Sequence, residues 1–182
     1  MAEKKVILVV AHKGFQQVEY SVSKMLFEHS GILTTTASTC KDTPATDQDG
    51  AAIDVDLTID EIIVENYNAI IFIGGPGALK DLDNEKSYSI IQKASAAKVL
   101  LGAICITPRI LAKAGVLTNK RATSWNNDNE AAAFFKTYDV NYKASDIIVD
   151  KTNNSTIVTA VGPNATREFA EHIISLLDDS LQ

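Results

Sequence analysis

The sequence has few of the residues that mark disulfide-rich, fibrous or disordered chains. Its 182 residues include two cysteines, four prolines and nine glycines, and 46% are hydrophobic against 22% charged. This composition is typical of an ordered globular protein and argues against fibrous repeats and low-complexity disorder. Because the length suits one domain with a substantial core, we expect residues 1–182 to form a single domain.

Long apolar runs and clusters of positive charge are also missing. No run approaches the roughly 20 apolar residues of a membrane span, and the N-terminal MAEKK segment does not resemble a signal peptide. The net charge of −6 comes with no stripe of Lys or Arg, which argues against a nucleic-acid partner. We therefore expect a cytoplasmic protein that binds neither membranes nor nucleic acid.

The cysteines and histidines lack the spacing of disulfide or metal motifs. Cys40 and Cys105 form no CxxC pair, and His12, His29 and His172 show no ligand spacing. In a reducing compartment both thiols stay free. We predict no metal site and interpret Cys40 as structural.

What the sequence does contain is an alternation of buried strands and helices. Apolar, β-branched runs predict strands, and helical spacing predicts helices between them. The strands are KKVILVVA near the start and residues 32–38, 68–75 and 98–105, and the helices are residues 15–30, 84–97 and 107–114. Continuous apolar strands alternating with helices predict a doubly wound, three-layer α/β domain with a mostly parallel sheet.

The last third of the chain departs from this alternation. DIIVD and TIVTAV flank the turn-rich KTNNS, which predicts an antiparallel hairpin and therefore a mixed edge of the sheet. A closing helix is predicted over 164–178, and the polar segment 41–50 is interpreted as a surface loop.

Three chemically interesting stretches follow predicted strands. They are HKGFQQVE, GGPGALKDL and the junction at Cys105. Ligands of open α/β sheets bind outside the carboxyl ends of the strands, so these stretches are expected to meet there.

Cys105 stands where a strand turns into a helix, and Thr107 and Pro108 suit the N-cap and first turn of that helix. Such a turn can expose a nucleophile, and the helix N-terminus would favour the thiolate. A small apolar residue at the end of a buried strand is an equally good interpretation of Cys105.

Glu19, in the helix after the first strand, could direct a carboxyl toward Cys105, although an ordinary solvated glutamate fits the same position. Gly74 to Gly77 permit close backbone approach and could supply amide donors, but a structural turn is the more common use of such a run.

GFQQVE, IIFIGGPG and GAIC with a proline three residues on, in this order, resemble the DJ-1/PfpI family. The resemblance continues through ILAKAGVLTNKRATSW, TIVTAVGP and REFAEHII, and so covers nearly the whole chain. Its members include intracellular-protease-like proteins, glyoxalases and the Parkinsonism-associated chaperone and deglycase. The resemblance implies a flavodoxin-like sandwich, usually dimeric, with the cysteine on a nucleophile elbow.

Carried over by position, the resemblance gives roles to four residues. Cys105 matches the nucleophile and Glu19 the glutamate that hydrogen-bonds it, while the backbone amides of Gly75 and Ile106 match the oxyanion hole. Gly74, Pro76 and Thr107 are expected to line the site beside them.

Ile106 is the main departure from the family pattern. Protease-like members resemble GAICHGP, with histidine directly after the cysteine, and here isoleucine takes that place. Trp125 and Asn126 stand where other members carry a second histidine, which leaves His12 as a weak candidate for the site. Thr107 is a second departure, because a tight elbow favours a small residue there.

A Cys-Glu pair without histidine suits a small reactive carbonyl better than amide hydrolysis. The resulting hypothesis is a glyoxalase-like or deglycase-like enzyme for small aldehydes or glycated substrates, with no metal, nucleotide or glutathione cofactor. A redox sensor acting through Cys105 remains the alternative. A PfpI-like cysteine peptidase is the least favoured.

Overall fold

Four apolar runs of the sequence form the middle of the main sheet. The computed structural model describes residues 3–179 of the chain. Its strands are β1 (Lys5–Val9), β2 (Lys13–Phe15), β3 (Leu33–Ser38), β4 (Ala45–Asp47), β5 (Ala52–Ile53), β6 (Leu57–Thr58), β7 (Ala69–Phe72), β8 (Leu100–Ile104), β9 (Arg121–Ala122), β10 (Asn141–Tyr142), β11 (Ile147–Asp150) and β12 (Ile157–Ala160). The helices are α1 (Gln17–His29), α2 (Ala78–Asp81), α3 (Glu85–Ala96), α4 (Pro108–Lys113), α5 (Ala131–Thr137) and α6 (Thr166–Asp179).

The central sheet has seven strands in the order β11-β12-β8-β7-β1-β3-β6. Neighbouring strands run parallel except β11, which pairs antiparallel with β12. Every residue of β7 and β8 is buried, as expected for strands covered on both faces. The predicted flavodoxin-like α/β sandwich with a mixed edge is confirmed.

The helices pack in two groups, and the second group also includes α5, which contacts α4. Helix α1 contacts α6, and α3 contacts α4, as expected for helices that cover opposite faces of a doubly wound sheet. The closing helix predicted over 164–178 forms as α6, with Phe169 and Ile173 buried against the sheet. No helix within residues 3–179 is both long and apolar enough to cross a membrane.

The segment 41–50 is more ordered than predicted. It contains β4, which lies parallel to β2 and antiparallel to β5 in a small second sheet. Ala45 is fully buried, and the Asp47 carboxylate accepts the backbone N–H groups of Asp49 (2.8 Å) and Ala51 (2.9 Å). The prediction of a surface loop was wrong for Ala45–Asp47, because a carboxylate that satisfies turn amides lets a polar segment fold back as a strand.

Candidate active site

The three stretches singled out in the sequence meet at the carboxyl edge of the central sheet. Glu19 on α1 contacts the loop after β7, where its Oε2 accepts the Gly74 N–H at 2.8 Å, and its carboxyl also interacts with the Cys105 thiol after β8. Gln16 N–H donates to the Gly74 carbonyl at 2.9 Å, which ties the start of α1 to the same loop. Residues distant in sequence thus form one cluster.

Cys105 occupies a left-handed backbone conformation with φ of 65°. A non-glycine residue there costs roughly 1–2 kcal/mol, so surrounding contacts must hold it. Its N–H donates to the Ala160 carbonyl (2.9 Å), and its carbonyl accepts the Trp125 N–H (2.8 Å) and the Ser124 hydroxyl (2.9 Å). This is the geometry of a nucleophile elbow.

Thr107 stabilises the elbow in a way that differs from the prediction. Its hydroxyl makes no cap hydrogen bond to α4. The oxygen lies 2.9 Å from the Phe72 carbonyl and 2.8 Å from the Ile104 carbonyl, and it accepts the Ile104 N–H at 3.1 Å. A buried threonine is therefore accommodated two residues after the cysteine because it links the ends of β7 and β8. Pro108 begins α4, as predicted.

Glu19 is placed by the N-terminal cap of α1. The Gln16 side-chain oxygen accepts the N–H groups of Val18 (2.6 Å) and Glu19 (3.3 Å), so Glu19 sits in the first turn. Its side chain is fully buried, and Oε1 has no hydrogen-bond partner within residues 3–179. Burial raises the pKa of Glu19 to about 7, against the opposing effects of the Gly74 amide and the Cys105 thiol.

The pKa of Cys105 is also raised, to about 12. Burial is the main cause and the Glu19 carboxylate the second, while the amides of Gly75 and Ile106 donate toward the sulfur and lower the pKa. Burial and the Glu19 carboxylate outweigh these donors, so the thiol is favoured over the thiolate that the helix N-terminus was expected to favour. Glu19 and Cys105 therefore share protons as a coupled pair.

The glycines after β7 are required by close contacts. A Cβ at Gly74 would lie 2.4 Å from the Cys105 Cβ and 2.8 Å from Glu19 Oε2. Gly75 has φ of +121°, and a Cβ there would lie 2.5 Å from the backbone of Gly14 and Gln16. These glycines allow α1, β7 and β8 to bring their polar groups together.

A cleft of about 570 Å³ opens onto Cys105. It is lined by Gln16, Gln48, Gly75, Pro76, Leu79, Cys105, Ile106, Arg109, Trp125, Asp128, Glu130 and Pro163. A depression of about 640 Å³ lies around Lys5 and Asn68 at the opposite end of the strands, but it holds no nucleophile and lies away from the edge where such folds bind ligands.

The predicted site residues fall into three groups. Cys105, Gly75, Pro76, Ile106 and Trp125 line the cleft, whereas Glu19, Gly74 and Thr107 are buried behind it. Two others have different partners: His12 Nε2 lies 3.1 Å from the Thr43 hydroxyl, and Asn126 Oδ1 accepts the Ala131 N–H at 2.9 Å. Neither lines the cleft.

Sequence reasoning missed the polar residues of the cleft, above all Arg109 and Asp128. Arg109 is only 5% exposed, and its Nη2 forms an ion pair with Asp128 at 2.8 Å. The one signal in the sequence was a single arginine inside the apolar helix PRILAK. Gln48 was missed because it follows β4, in the segment interpreted as a loop. Within residues 3–179, no group of three or more His, Cys, Asp or Glu side chains could hold a metal ion.

Comparison with known proteins decides the family. The sequence profile of the DJ-1/PfpI family matches residues 4–176. The chain belongs to the DJ-1/PfpI family. The resemblance seen in the sequence is thereby confirmed.

Individual DJ-1/PfpI relatives are similar at modest identity. An uncharacterised protein of Methanocaldococcus jannaschii, MJ0967, is 28% identical over 98% of this chain and 84% of its own length. Deglycase PH1704 of Pyrococcus horikoshii is 35% identical over 44% of this chain, and the match spans about half of that protein (48%).

Solved structures of DJ-1/PfpI proteins share the fold. A ThiJ/PfpI domain protein from Brachyspira murdochii superposes with a TM-score of 0.88 at 24% identity, covering 98% of this chain and 99% of that one. Oxidized DJ-1 of Toxoplasma gondii gives 0.79 at 25% identity, covering 96% and 90% of the two chains.

Proposed function

We propose that the protein acts on small reactive carbonyl compounds through Cys105, in a cofactor-independent glyoxalase-like or deglycase-like reaction. The observation that carries this proposal is the contact between Cys105, held in a left-handed turn, and Glu19, whose pKa is raised to about 7. A general acid–base works best when its pKa lies near the operating pH. Relatives named deglycase support the same chemistry.

The first step is addition of sulfur to the aldehyde of a 2-oxoaldehyde. The Cys105 proton passes to the Glu19 carboxylate as the carbon–sulfur bond forms and the carbonyl electron pair moves to oxygen. The amides of Gly75 and Ile106, which already donate toward the sulfur, are near enough to stabilise that oxyanion. Protonation of the oxygen gives a hemithioacetal.

The next steps move one proton between neighbouring carbons and consume one water. Glu19 removes the proton from the carbon bound to sulfur and returns it to the adjacent carbon, which converts the hemithioacetal into a thioester of a 2-hydroxy acid. Water then attacks the thioester, and the Cys105 thiolate leaves and regains its proton. The sum is 2-oxoaldehyde plus water giving 2-hydroxy acid. On a glycated amine, the Cys105 sulfur replaces the nitrogen at the hemiaminal carbon: the carbon–nitrogen bond breaks, the thiol proton ends on the departing amine, and the same hemithioacetal is left for the later steps.

The test is lactate production from methylglyoxal. We expect turnover by the native protein, background rates for Cys105→Ser and a loss of roughly 10²–10⁴-fold for Glu19→Gln. Cys40→Ser is the matched control, because Cys40 does not line the cleft, and it should behave as the native protein does. Native protein indistinguishable from buffer would refute the proposal.

Redox sensing through Cys105 is the alternative. It is favoured by one comparison, since the Toxoplasma gondii neighbour is an oxidized DJ-1. Against it, Cys105 is 9% exposed with a raised pKa, and peroxide reacts with exposed thiolates. Selective oxidation of Cys105 by peroxide, seen by intact-mass measurement without any aldehyde turnover, would favour the sensor.

Peptide hydrolysis is poorly supported. It requires proton delivery to a leaving amine, usually by histidine, and the residues that line the cleft include no histidine.

From the family we further infer a homodimer that acts in the cytoplasm. Light scattering should then give twice the 19.7 kDa chain mass, and a monomer mass at micromolar concentration would contradict the homodimer.

A further inference from the structure

The Cys105 carbonyl is held by two donors from the segment that follows β9. The Trp125 N–H donates to it at 2.8 Å and the Ser124 hydroxyl at 2.9 Å. Because a trans peptide group is planar, the direction of this carbonyl also fixes the opposite direction of the Ile106 N–H in the same peptide group. That N–H donates toward the Cys105 sulfur and is one of the two amides of the proposed oxyanion hole. The position of Trp125 therefore determines where an amide of the site points.

The side chain of Arg109 fixes Trp125 in turn. Arg109 Nη2 donates to the Trp125 carbonyl at 3.3 Å, so the backbone of Trp125 contacts the turn after β8 through its N–H and helix α4 through its carbonyl. Residues 123–130, between β9 and α5, form neither a helix nor a strand. Individual contacts of this kind must therefore keep Trp125 in place.

The Arg109 guanidinium is itself held at the wall of the cleft. The side chain is 6% exposed, Nη2 contacts both carboxylate oxygens of Asp128 (2.9 and 2.8 Å), and the guanidinium carbon lies 5.4 Å from the Phe134 ring centre. The hydrogen bond from Arg109 lowers the pKa of the Asp128 carboxyl, so both partners are charged at neutral pH. A planar guanidinium held by a carboxylate and an aromatic ring has little freedom to move, and it can orient a third group.

We propose that Arg109 is a positioning residue that acts through the Trp125 backbone to orient the Ile106 N–H toward the oxyanion. The link is the peptide group between Cys105 and Ile106, whose carbonyl the Trp125 N–H holds. The expected effect on catalysis rests on the proposed function, whereas the effect on geometry does not. Because the same N–H already donates toward the sulfur, the reactivity of the thiol reports its orientation without any turnover.

The first test separates kcat from KM for methylglyoxal. Arg109→Met removes the guanidinium but keeps the backbone N–H of residue 109, which donates to the Ile106 carbonyl at 3.1 Å. A misdirected amide weakens binding of the transition state more than binding of the substrate, so we expect kcat to fall about tenfold and KM to change by less than about twofold. Arg167→Met, at an exposed arginine on α6, is the matched control and should keep the native kcat. A loss that lies wholly in KM would refute the positioning role.

Alkylation by iodoacetamide, followed by intact-mass measurement, tests the geometry without turnover. In a Cys40→Ser background Cys105 is the one thiol of the chain. Amides that donate to the sulfur stabilise the thiolate, so we expect Arg109→Met to slow alkylation about threefold at a fixed alkaline pH. General loosening of the site would have the opposite effect, because it would uncover a thiol that is 9% exposed. Alkylation that is as fast in the variant or faster overturns the proposal.

Tryptophan fluorescence reports on the contact itself, because Trp125 is the one tryptophan in the sequence. We expect Arg109→Met to shift the emission to longer wavelength and to lower its anisotropy, since the segment around Trp125 gains freedom. Arg167→Met should change neither quantity. Native emission and anisotropy in Arg109→Met would show that Arg109 does not hold Trp125.

Asp128→Asn provides a second variant on the surface of the site. It keeps an oxygen for the Glu130 N–H, which donates to Asp128 Oδ1 at 3.1 Å, and removes the charge that holds the guanidinium. We expect slower alkylation of Cys105, with a smaller change than in Arg109→Met. Adding Asp128→Asn to Arg109→Met should cause no further change, because both residues act through one contact. Additive effects would contradict this order of action.

These measurements distinguish failure of the positioning role from failure of the proposed function. A cooperative urea transition first establishes that Arg109→Met is folded, and otherwise Asp128→Asn decides. If methylglyoxal is not turned over but alkylation slows and the emission shifts as expected, the proposed function fails and the positioning role stands. If Arg109→Met keeps native turnover and native alkylation, the positioning role fails and the proposed function stands.

Discussion

At the scale of single residues, Glu19 and Cys105 both depart from the ordinary behaviour of their side chains. Each is buried, and burial raises both pKa values because it disfavours charge. Because the two groups are in contact, they titrate together, and the pair holds one proton between about pH 7 and about pH 12. In the proposed reaction Glu19 carries that proton, so the mechanism requires no histidine at position 106.

The raised pKa of Glu19 makes the stability of the protein depend on pH. Folding raises this pKa from 4.5 to about 7, so the buried carboxyl stabilises the fold when it is protonated. That stabilisation is fully present below about pH 4.5 and is lost as pH rises through about 7. We expect Glu19 to contribute about 3 kcal/mol to the fall in unfolding free energy between about pH 4.5 and pH 8. Urea unfolding at several pH values measures this contribution as the difference in unfolding free energy between the native protein and Glu19→Gln. If the two free energies change with pH in parallel, the raised pKa of Glu19 is contradicted.

Gly74→Ala tests the close contact of the three elements. Its Cβ would lie 2.4 Å from the Cys105 Cβ, so we expect destabilisation of roughly 1–3 kcal/mol and at least a tenfold loss of kcat/KM for methylglyoxal. Gly31→Ala is the control: it has φ of +73° but no atom within 4 Å of an added Cβ. It should lose about 1 kcal/mol from backbone strain and keep full activity. Equal activity of the two variants would refute the contact argument.

Among the elements, the ends of β7 and β8 matter most, because both reactive loops leave from them. Thr107 holds these ends together through its hydroxyl, between the carbonyls of Phe72 and Ile104. The short helix α4 then carries Arg109 to the cleft wall, four residues after Cys105. One strand–turn–helix unit thus supplies both Cys105 and a charged residue of the cleft wall.

Thr107→Val removes this link with almost no change of shape. Because the Phe72 carbonyl and the Ile104 backbone groups each lose one hydrogen-bond partner, we expect the free energy of unfolding to fall by about 1–3 kcal/mol. Thr137→Val, whose exposed hydroxyl bonds the Ala133 carbonyl within α5 at 3.1 Å, should change it by less than about 0.5 kcal/mol. Chemical denaturation of both variants makes the comparison, and equal losses would contradict a special role for Thr107.

In the whole molecule, the central sheet is tied to the small β9–β10 sheet by buried polar contacts. Asp150, at the end of β11, forms one of these ties. Its Oδ2 accepts the Arg121 N–H at 3.0 Å, its Oδ1 accepts the Thr152 N–H at 3.0 Å, and Lys120 lies 3.9 Å away with only 6% of its side chain exposed. This network fixes the β9–β10 pair, and with it the start of the segment that continues to Ser124 and Trp125.

Asp150→Asn should therefore be strongly destabilising. It removes the carboxylate that lies 3.9 Å from the buried Lys120 ammonium, which keeps only the Thr152 carbonyl (2.6 Å) and hydroxyl (3.0 Å) as partners within residues 3–179. We therefore expect a loss of about 2–3 kcal/mol in thermal or urea unfolding. Asp60→Asn is the surface control, since Asp60 and Lys86 are both more than half exposed, and it should lose less than about 1 kcal/mol. The double variant Lys120→Met with Asp150→Asn should recover part of the loss, and no recovery would refute the unpaired-charge explanation.

Local patterns in the chain were enough to predict six strands of the central sheet, the helices α1, α3, α4 and α6, and the antiparallel edge, whereas β6, α2 and α5 were missed. Apolar runs such as that of β8 must be buried on both faces wherever the chain places them, and motifs around Glu19 and Cys105 pointed to one family. The pairing of Arg109 with Asp128, the burial of Glu19 and the folding back of β4 depend on groups distant in sequence. Desolvation and hydrogen bonding act on whatever becomes adjacent in space, so the altered pKa values, the role of Thr107 and the polar wall of the cleft were decided by tertiary packing.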